Sequence, residues 1–348
     1  MPRLRIALTA AVLLAAASSV HAEWNPTLAA RYLDARQQAW FDWKTAQSSD
    51  GPCVSCHTGM TYLLARPVLR RALHEAAPTA FETGLLDRLR TKMAKPAEGA
   101  LGTVEAVFAA LFLSGGEARI AMSSHGKQAF DRLWELQDTD GPGKGGWQWY
   151  EANLDPWENP ESGYYGAALV ALALGQAPEA YRQDPASHAH PTSLMAFLVN
   201  PPAPPRLHDR LAALWASTAA LPVLNAHARS AVVAEAFARQ QPDGGWTAES
   251  LGPWMAHPDA PPAAGSHAYA TAYTTFVLRR AGVPVSHPGL AKALDWLRAH
   301  QDPATGAWPA ASMNKRYPDG SMPSRFMQDA ATGFAVMALL DGDPGPRR

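Results

Sequence analysis

The sequence predicts an all-α protein built from repeated helix pairs in one large domain. Three observations carry this. Three segments share a pattern of amphipathic helix, glutamine, glycine turn and tryptophan. A helix that is apolar nearly all round follows each of them. Nowhere does a clear period-two strand pattern appear.

The first patterned segment is Leu133-Trp134-Glu135-Leu136-Gln137, with a glycine-rich turn ending Gly145-Gly146-Trp147. The second runs from Phe237 through Gln240-Gln241-Pro242-Asp243-Gly244-Gly245-Trp246. The third runs from Leu294 to Gln301 and ends Thr305-Gly306-Ala307-Trp308. The glycines supply the positive φ that such turns need. The buried helices that follow are expected at residues 162–175, 266–282 and 327–340, with a similar one at 103–114. The gap from Trp147 to Trp246 is about two repeats long. A degenerate helix pair is therefore expected between them, at residues 193–199 and 207–221, joined by the proline-rich loop 200–205.

Gln137 with Trp147, Gln241 with Trp246, and Gln301 with Trp308 resemble the QW motifs of the squalene-hopene cyclase and terpene cyclase family. The resemblance covers roughly residues 100–345 and implies an α/α toroid, with inner helices ringed by outer ones and QW turns tying neighbours. The chemistry of those relatives is not carried over. An Asp-x-Asp-Asp acid motif is missing, and Asp138-Thr139-Asp140 lies in a QW turn. The zinc site of the protein prenyltransferases, which share the toroid, needs a cysteine that another motif here claims. Scaffold and function are thus argued separately.

That other motif is Cys53-Val54-Ser55-Cys56-His57, which contains both cysteines of the chain. Cys-x-x-Cys-His is the attachment signature of a c-type haem. Two thiols one helical turn apart can each form a thioether, and the adjacent imidazole reaches the iron. A redox dithiol, half a zinc site and a small disulfide are the alternatives. The expectation is one covalent haem c on Cys53 and Cys56 with His57 as proximal iron ligand, within a haem segment at residues 50–73.

Residues 60–73 read as the first inner helix, bent near Pro67, which places the haem at the mouth of the ring. Since a toroid closes on itself, the loop 317–324 entering the last inner helix is expected beside Cys53–His57. Met322 is the expected distal ligand, with His267, His257, Met255, Met327 and Met313 as competitors or an open site instead. Arg66 and Arg70 are expected to clasp the haem propionates. Glu161, Tyr164, Tyr165, Trp254, Tyr269 and Tyr273 are candidate cavity-lining residues.

Arg3 and Arg5, the apolar run 6–17 and Val20-His21-Ala22 read as a secretory signal peptide over residues 1–22, leaving residues 23–348 as the domain. The expected location is periplasmic or secreted, with no integral membrane span after cleavage. A net charge of −1 argues against nucleic acid as a partner. The functional expectation is a c-type cytochrome that transfers electrons to a redox partner protein or a small organic molecule in the ring cavity. Two alternatives stand beside it. One is a haem-dependent oxidoreductase acting on a hydrophobic or terpenoid substrate, with an acid or base such as Glu161, His267 or Asp329. The other is a haem-based binding or sensor module.

Overall fold

The computed structural model describes residues 23–48, 51–95, 99–114, 122–185, 188–254 and 265–340. The expected signal peptide, Met255 and His257 lie outside them. Inner helices α2 (Gly59–Ala72), α4 (Gly99–Leu113), α6 (Gly163–Gln176), α9 (Leu207–Ala216), α12 (Ala268–Arg280) and α14 (Phe326–Leu340) form the ring. Outer helices α1 (Pro26–Asp42), α3 (Ala80–Met93), α5 (Ser124–Leu136), α8 (Ala189–Val199), α10 (Ala226–Ala238) and α13 (Pro288–Ala299) surround it. Two short helices, α7 (Glu179–Arg182) and α11 (Ala248–Leu251), lie in the connections. α4 packs on α6, α6 on α9, α9 on α12 and α12 on α14. α14 then packs on α2, and α3 bridges α2 and α4, so the toroid closes.

The sequence sorts the two rings. α4, α6 and α14 bury residues on every face, as helices enclosed by neighbours must. α5 buries one stripe, Ala129, Phe130, Leu133 and Trp134 among it, and exposes the rest. Small residues let the inner helices approach closely. A Cβ on Gly333 of α14 would stand 2.9 Å from the Thr61 Cβ of α2.

Each QW turn works by the same three contacts. The tryptophan indole N–H donates back to its own outer helix: Trp147 to the Leu133 carbonyl at 2.8 Å, Trp246 to Ala236 at 2.6 Å, Trp308 to Leu297 at 2.7 Å. A glutamine amide ties the turn to the start of the next outer helix. Gln137 donates to Gly145 and His190, Gln240 to Gly244 and Gly289, Gln301 to Gly306 and Asn25. In the second turn this glutamine is Gln240, not the expected Gln241, which donates only to the nearby Arg239 carbonyl. Gly145, Gly244 and Gly306 have φ of +90°, +97° and +80°. A Cβ on each would clash with backbone of the next outer helix, at Ser193, Lys292 and Leu28.

The degenerate pair is real: α8 and α9 match the expected helices without a glutamine or tryptophan staple. Pro67 lies inside α2. Helices α1 and α3 carry no repeat signal in the sequence, because neither is joined to a QW turn of its own. The strands among the described residues are two-residue pieces, β1 (Gln47–Ser48) paired antiparallel with β2 (Gly51–Pro52). Among those residues no helix is long and apolar enough to cross a membrane.

Candidate functional site

The N-terminal ends of the inner helices share one face of the ring, and the segment 147–161 crosses it. Its turn is pinned by backbone bonds, Glu158 N–H to the Leu154 carbonyl at 2.8 Å and Ala152 N–H to the Glu158 carbonyl at 2.9 Å. Trp157 is fully buried between the rings of His57 (centroids 6.2 Å apart) and Tyr269 (5.1 Å). The segment thus presents Glu158 to the α2–α14 side and Asp155 to the α9 side.

On the α2 side, Ser55 Oγ accepts the Thr58 and Gly59 N–H groups at 3.1 and 3.0 Å, which caps α2 and fixes the Cys53–His57 turn. His57 is 2% exposed, and its ring stacks on Phe326 with centroids 3.6 Å apart. The hydroxyl of Thr58 donates to Asp329 Oδ2 at 2.7 Å. It therefore accepts from His57 Nδ1–H, 2.9 Å away. This leaves a lone pair on Nε2, which faces Glu158 Oε1 at 4.0 Å. Burial holds the His57 pKa well below its ordinary value, with the Arg36 charge adding to the effect, so the ring is neutral. Asp329 is itself locked by Arg36 at 2.7 and 3.0 Å and by the Tyr32 hydroxyl at 2.7 Å.

Glu158 is the unusual group. Its side chain is 12% exposed. Desolvation raises its pKa to about 7, against the opposing pull of a Cys56 thiol hydrogen bond and the Lys315 charge. Burial likewise pushes Cys53 up to about 11 and Cys56 well above an ordinary thiol. Both are protonated, poorly nucleophilic thiols. Together with Trp40, Trp43 and Tyr150, these groups line a pocket of about 280 Å³.

On the α9 side, Asp155 pairs with Arg206 at 2.9 Å, and Arg206 pairs with Asp209 at 2.9 Å. Asp209 Oδ1 lies 2.9 Å from His208 Nδ1, and His208 Nε2 lies 2.9 Å from the Tyr269 hydroxyl. That hydroxyl accepts the Trp157 indole N–H at 3.1 Å. His208, Tyr165, Tyr269, Tyr273 and Phe334 fill the ring interior with packed rings, Tyr273 and Phe334 for example at 5.0 Å. Of the expected cavity residues, Glu161, Tyr164 and Trp254 line a second pocket of about 580 Å³ beside Pro201–Pro205, whereas Tyr165, Tyr269 and Tyr273 belong to the packed interior.

The expected haem-site residues are only partly brought together: Met322, Arg66 and Arg70 do not line the pocket of Cys53, Cys56 and His57. Cys53, Cys56 and His57 do converge on one pocket, and the loop 317–324 does lie beside them. Met322, however, packs against a small buried cluster of Trp40, Ala46, Leu154 and Phe326 and does not line the pocket; its carbonyl accepts from Arg36 at 3.4 Å. The direction in which His57 Nε2 points is taken by the Glu158 carboxyl. Arg66 is 3% exposed and held by Asp34 at 3.0 Å and Glu75 at 2.6 Å, while Arg70 pairs with Glu82 at 3.4 Å. Neither arginine lines the pocket. Among the other candidates, His267 Nε2 lies 2.9 Å from the Ala311 carbonyl, and Met327 and Met313 are buried.

No protein-family model matches the chain, and no curated protein matches it in sequence. Solved structures do share its fold. A glycosidase solved as a single-residue variant aligns at 12% identity and a TM-score of 0.52, covering 92% of this chain and 98% of that one. A second glycosidase variant aligns at 12% identity and a TM-score of 0.51, with the same coverage. The ent-copalyl diphosphate synthase from Streptomyces platensis aligns at 19% identity and a TM-score of 0.44, over 83% of this chain and 52% of that one. The fold is an α/α toroid.

These findings overturn the electron-transfer cytochrome and both haem-dependent alternatives. Two superposing toroids are glycosidases. The pocket holds Glu158, a carboxyl whose pKa burial raises to about 7.

Sequence reasoning missed Glu158, Asp155, Arg206, His208 and Asp209. The signal for the last three was their position, Arg206-Leu207-His208-Asp209 at the start of an inner helix. For Glu158 it was an acid among Trp147, Trp149 and Trp157, directly after a QW turn.

Proposed function

We propose that the protein is a carbohydrate-active enzyme that hydrolyses a glycosidic bond in the pocket between α2, α4 and α14, with Glu158 as the general acid. The observation that carries this is the Glu158 carboxyl, whose pKa of about 7 keeps a transferable proton at neutral pH in an aromatic-walled pocket. Protonation of the leaving oxygen is the step that glycoside cleavage needs. Trp43 and Tyr150, half-buried at the rim, offer ring faces for a sugar to stack on. The glycosidase identity of two superposing toroids supports the class of reaction.

The test is hydrolysis of a panel of oligosaccharides and aryl glycosides by the wild type and by Glu158→Gln. The expected result is turnover that drops by about 10²–10⁴-fold in the variant. A full panel without turnover, or a fully active variant, overturns the proposal.

A further inference from the structure

We propose that the larger pocket, about 580 Å³ beside Pro201–Pro205, binds an uncharged stretch of the saccharide chain that is cut beside Glu158, an assignment of substrate class that rests on the reading of Glu158 as the acid. A cavity of this size, walled by rings with a few polar groups, is the usual form of a small-molecule site. Trp147 and Tyr164 are buried in its wall, and Phe197 and Trp254 complete it. Trp254 is half-buried, and its indole N–H donates to the Ala248 carbonyl at 2.8 Å, which fixes the ring. Tyr164 is fixed by its hydroxyl, which donates to the Leu198 carbonyl at 3.1 Å. Rings held in this way offer apolar faces to the C–H side of a sugar.

The polar groups decide which sugar. Asp138 and the exposed Glu161 bring carboxylates to the lining, acceptors only when ionised. Arg206 is the cation among the described lining residues, and it is already engaged. Its Nε donates to Asp209 at 2.9 Å, Nη1 to Asp155 at 2.9 Å and Nη2 to the Ser162 hydroxyl at 3.3 Å. Asp155 and Asp209 more than balance its charge, so the surroundings are net negative. Sugar hydroxyls can donate to such carboxylates in charge-assisted hydrogen bonds. A uronate would meet like charge with no free cation to offset it.

The two pockets share a wall. Tyr150 and Glu158 line the smaller one, and Trp147, Pro160 and Glu161 of the same segment line the larger. Pro160 follows Glu158 by two positions, so at most about 7 Å of backbone separates them. One saccharide chain can therefore reach both.

The experiment uses Glu158→Gln, which binds without cutting, and follows the Trp254 indole N–H by NMR, assigned by its loss in Trp254→Phe. The titrants are tetrasaccharides of glucose, galactose, mannose and xylose, set against those of galacturonate and mannuronate. At least one neutral titrant is expected to move this resonance and to bind at least about tenfold more tightly than either uronate. Trp254→Ala should weaken that binding at least about tenfold. Glu161→Gln keeps the shape of an exposed side chain and removes its charge, and should narrow the preference at least about threefold. No neutral titrant at Trp254, a uronate bound as tightly, or a preference indifferent to Glu161→Gln overturns the proposal. Binding at Trp254 beside a wild type that hydrolyses none of the titrants would remove the Glu158 reading and keep the site, so the two fail separately.

Discussion

Gln301 closes the ring on Asn25. Its side-chain oxygen accepts the Asn25 N–H at 2.6 Å and its amide donates to the Asn25 carbonyl at 3.0 Å, joining residues 276 positions apart. The same amide reaches Gly306 in its own turn. Gln301→Ala should lower stability by about 1–2 kcal/mol, given a net worth near 1 kcal/mol per hydrogen bond at a partly exposed site. Gln240→Ala should do the same, and Gln241→Ala should do much less. Denaturant melts of the three variants check the ranking.

Arg206 balances two buried carboxylates, Asp155 and Asp209, at 2.9 Å each. Arg206→Met keeps much of the side-chain volume but leaves both acids without their cation. A loss of about 3–5 kcal/mol is expected, the range for breaking a buried pair from one side. Chemical denaturation measures it.

Glu158 also ties stability to pH. Its folded pKa of about 7 lies above the unfolded value near 4.3. Between those values the native state binds more protons, so its contribution to stability falls as pH rises through that window. His57, depressed by burial, acts in the opposite sense below about 6.5. Comparing wild type with Glu158→Gln isolates the first effect. From pH about 4 to about 8, the wild type should lose stability relative to the variant.

Cys56 donates its thiol hydrogen to Glu158 and so carries a free S–H in this account. Protein secreted from a host with c-type maturation machinery should have the mass of two unmodified cysteines. After denaturation both should alkylate; in the native state the half-buried Cys53 should react before the 2%-exposed Cys56. A haem mass on the two thiols would contradict the packing of Glu158 against them.

The fold was legible because turn chemistry repeats: glycine at positive φ, a glutamine staple and an indole return bond recur at Trp147, Trp246 and Trp308. Even the unstapled pair α8 and α9 followed from spacing. The choice between Gln240 and Gln241 was not legible, since both follow the same helix and only the approach of Gly289 selects one. The site was legible in part. Cys53, Cys56 and His57 do share a pocket, and Asp329, named only as an acid or base for one alternative, anchors the Thr58–His57 chain. What no local pattern showed was that a segment from the first QW turn crosses the ring and sets Glu158 opposite His57, 101 positions earlier in the chain. Arg66 and Arg70 misled because local carboxylates, Asp34, Glu75 and Glu82, already hold them.

The most direct test of the central claim is an infrared titration of the Glu158 carboxyl, as the difference between wild type and Glu158→Gln. The expected result is a protonated C=O band that persists to neutrality and titrates near pH 7. A carboxyl already ionised with a midpoint near 4.3, the ordinary value for glutamate, would contradict it.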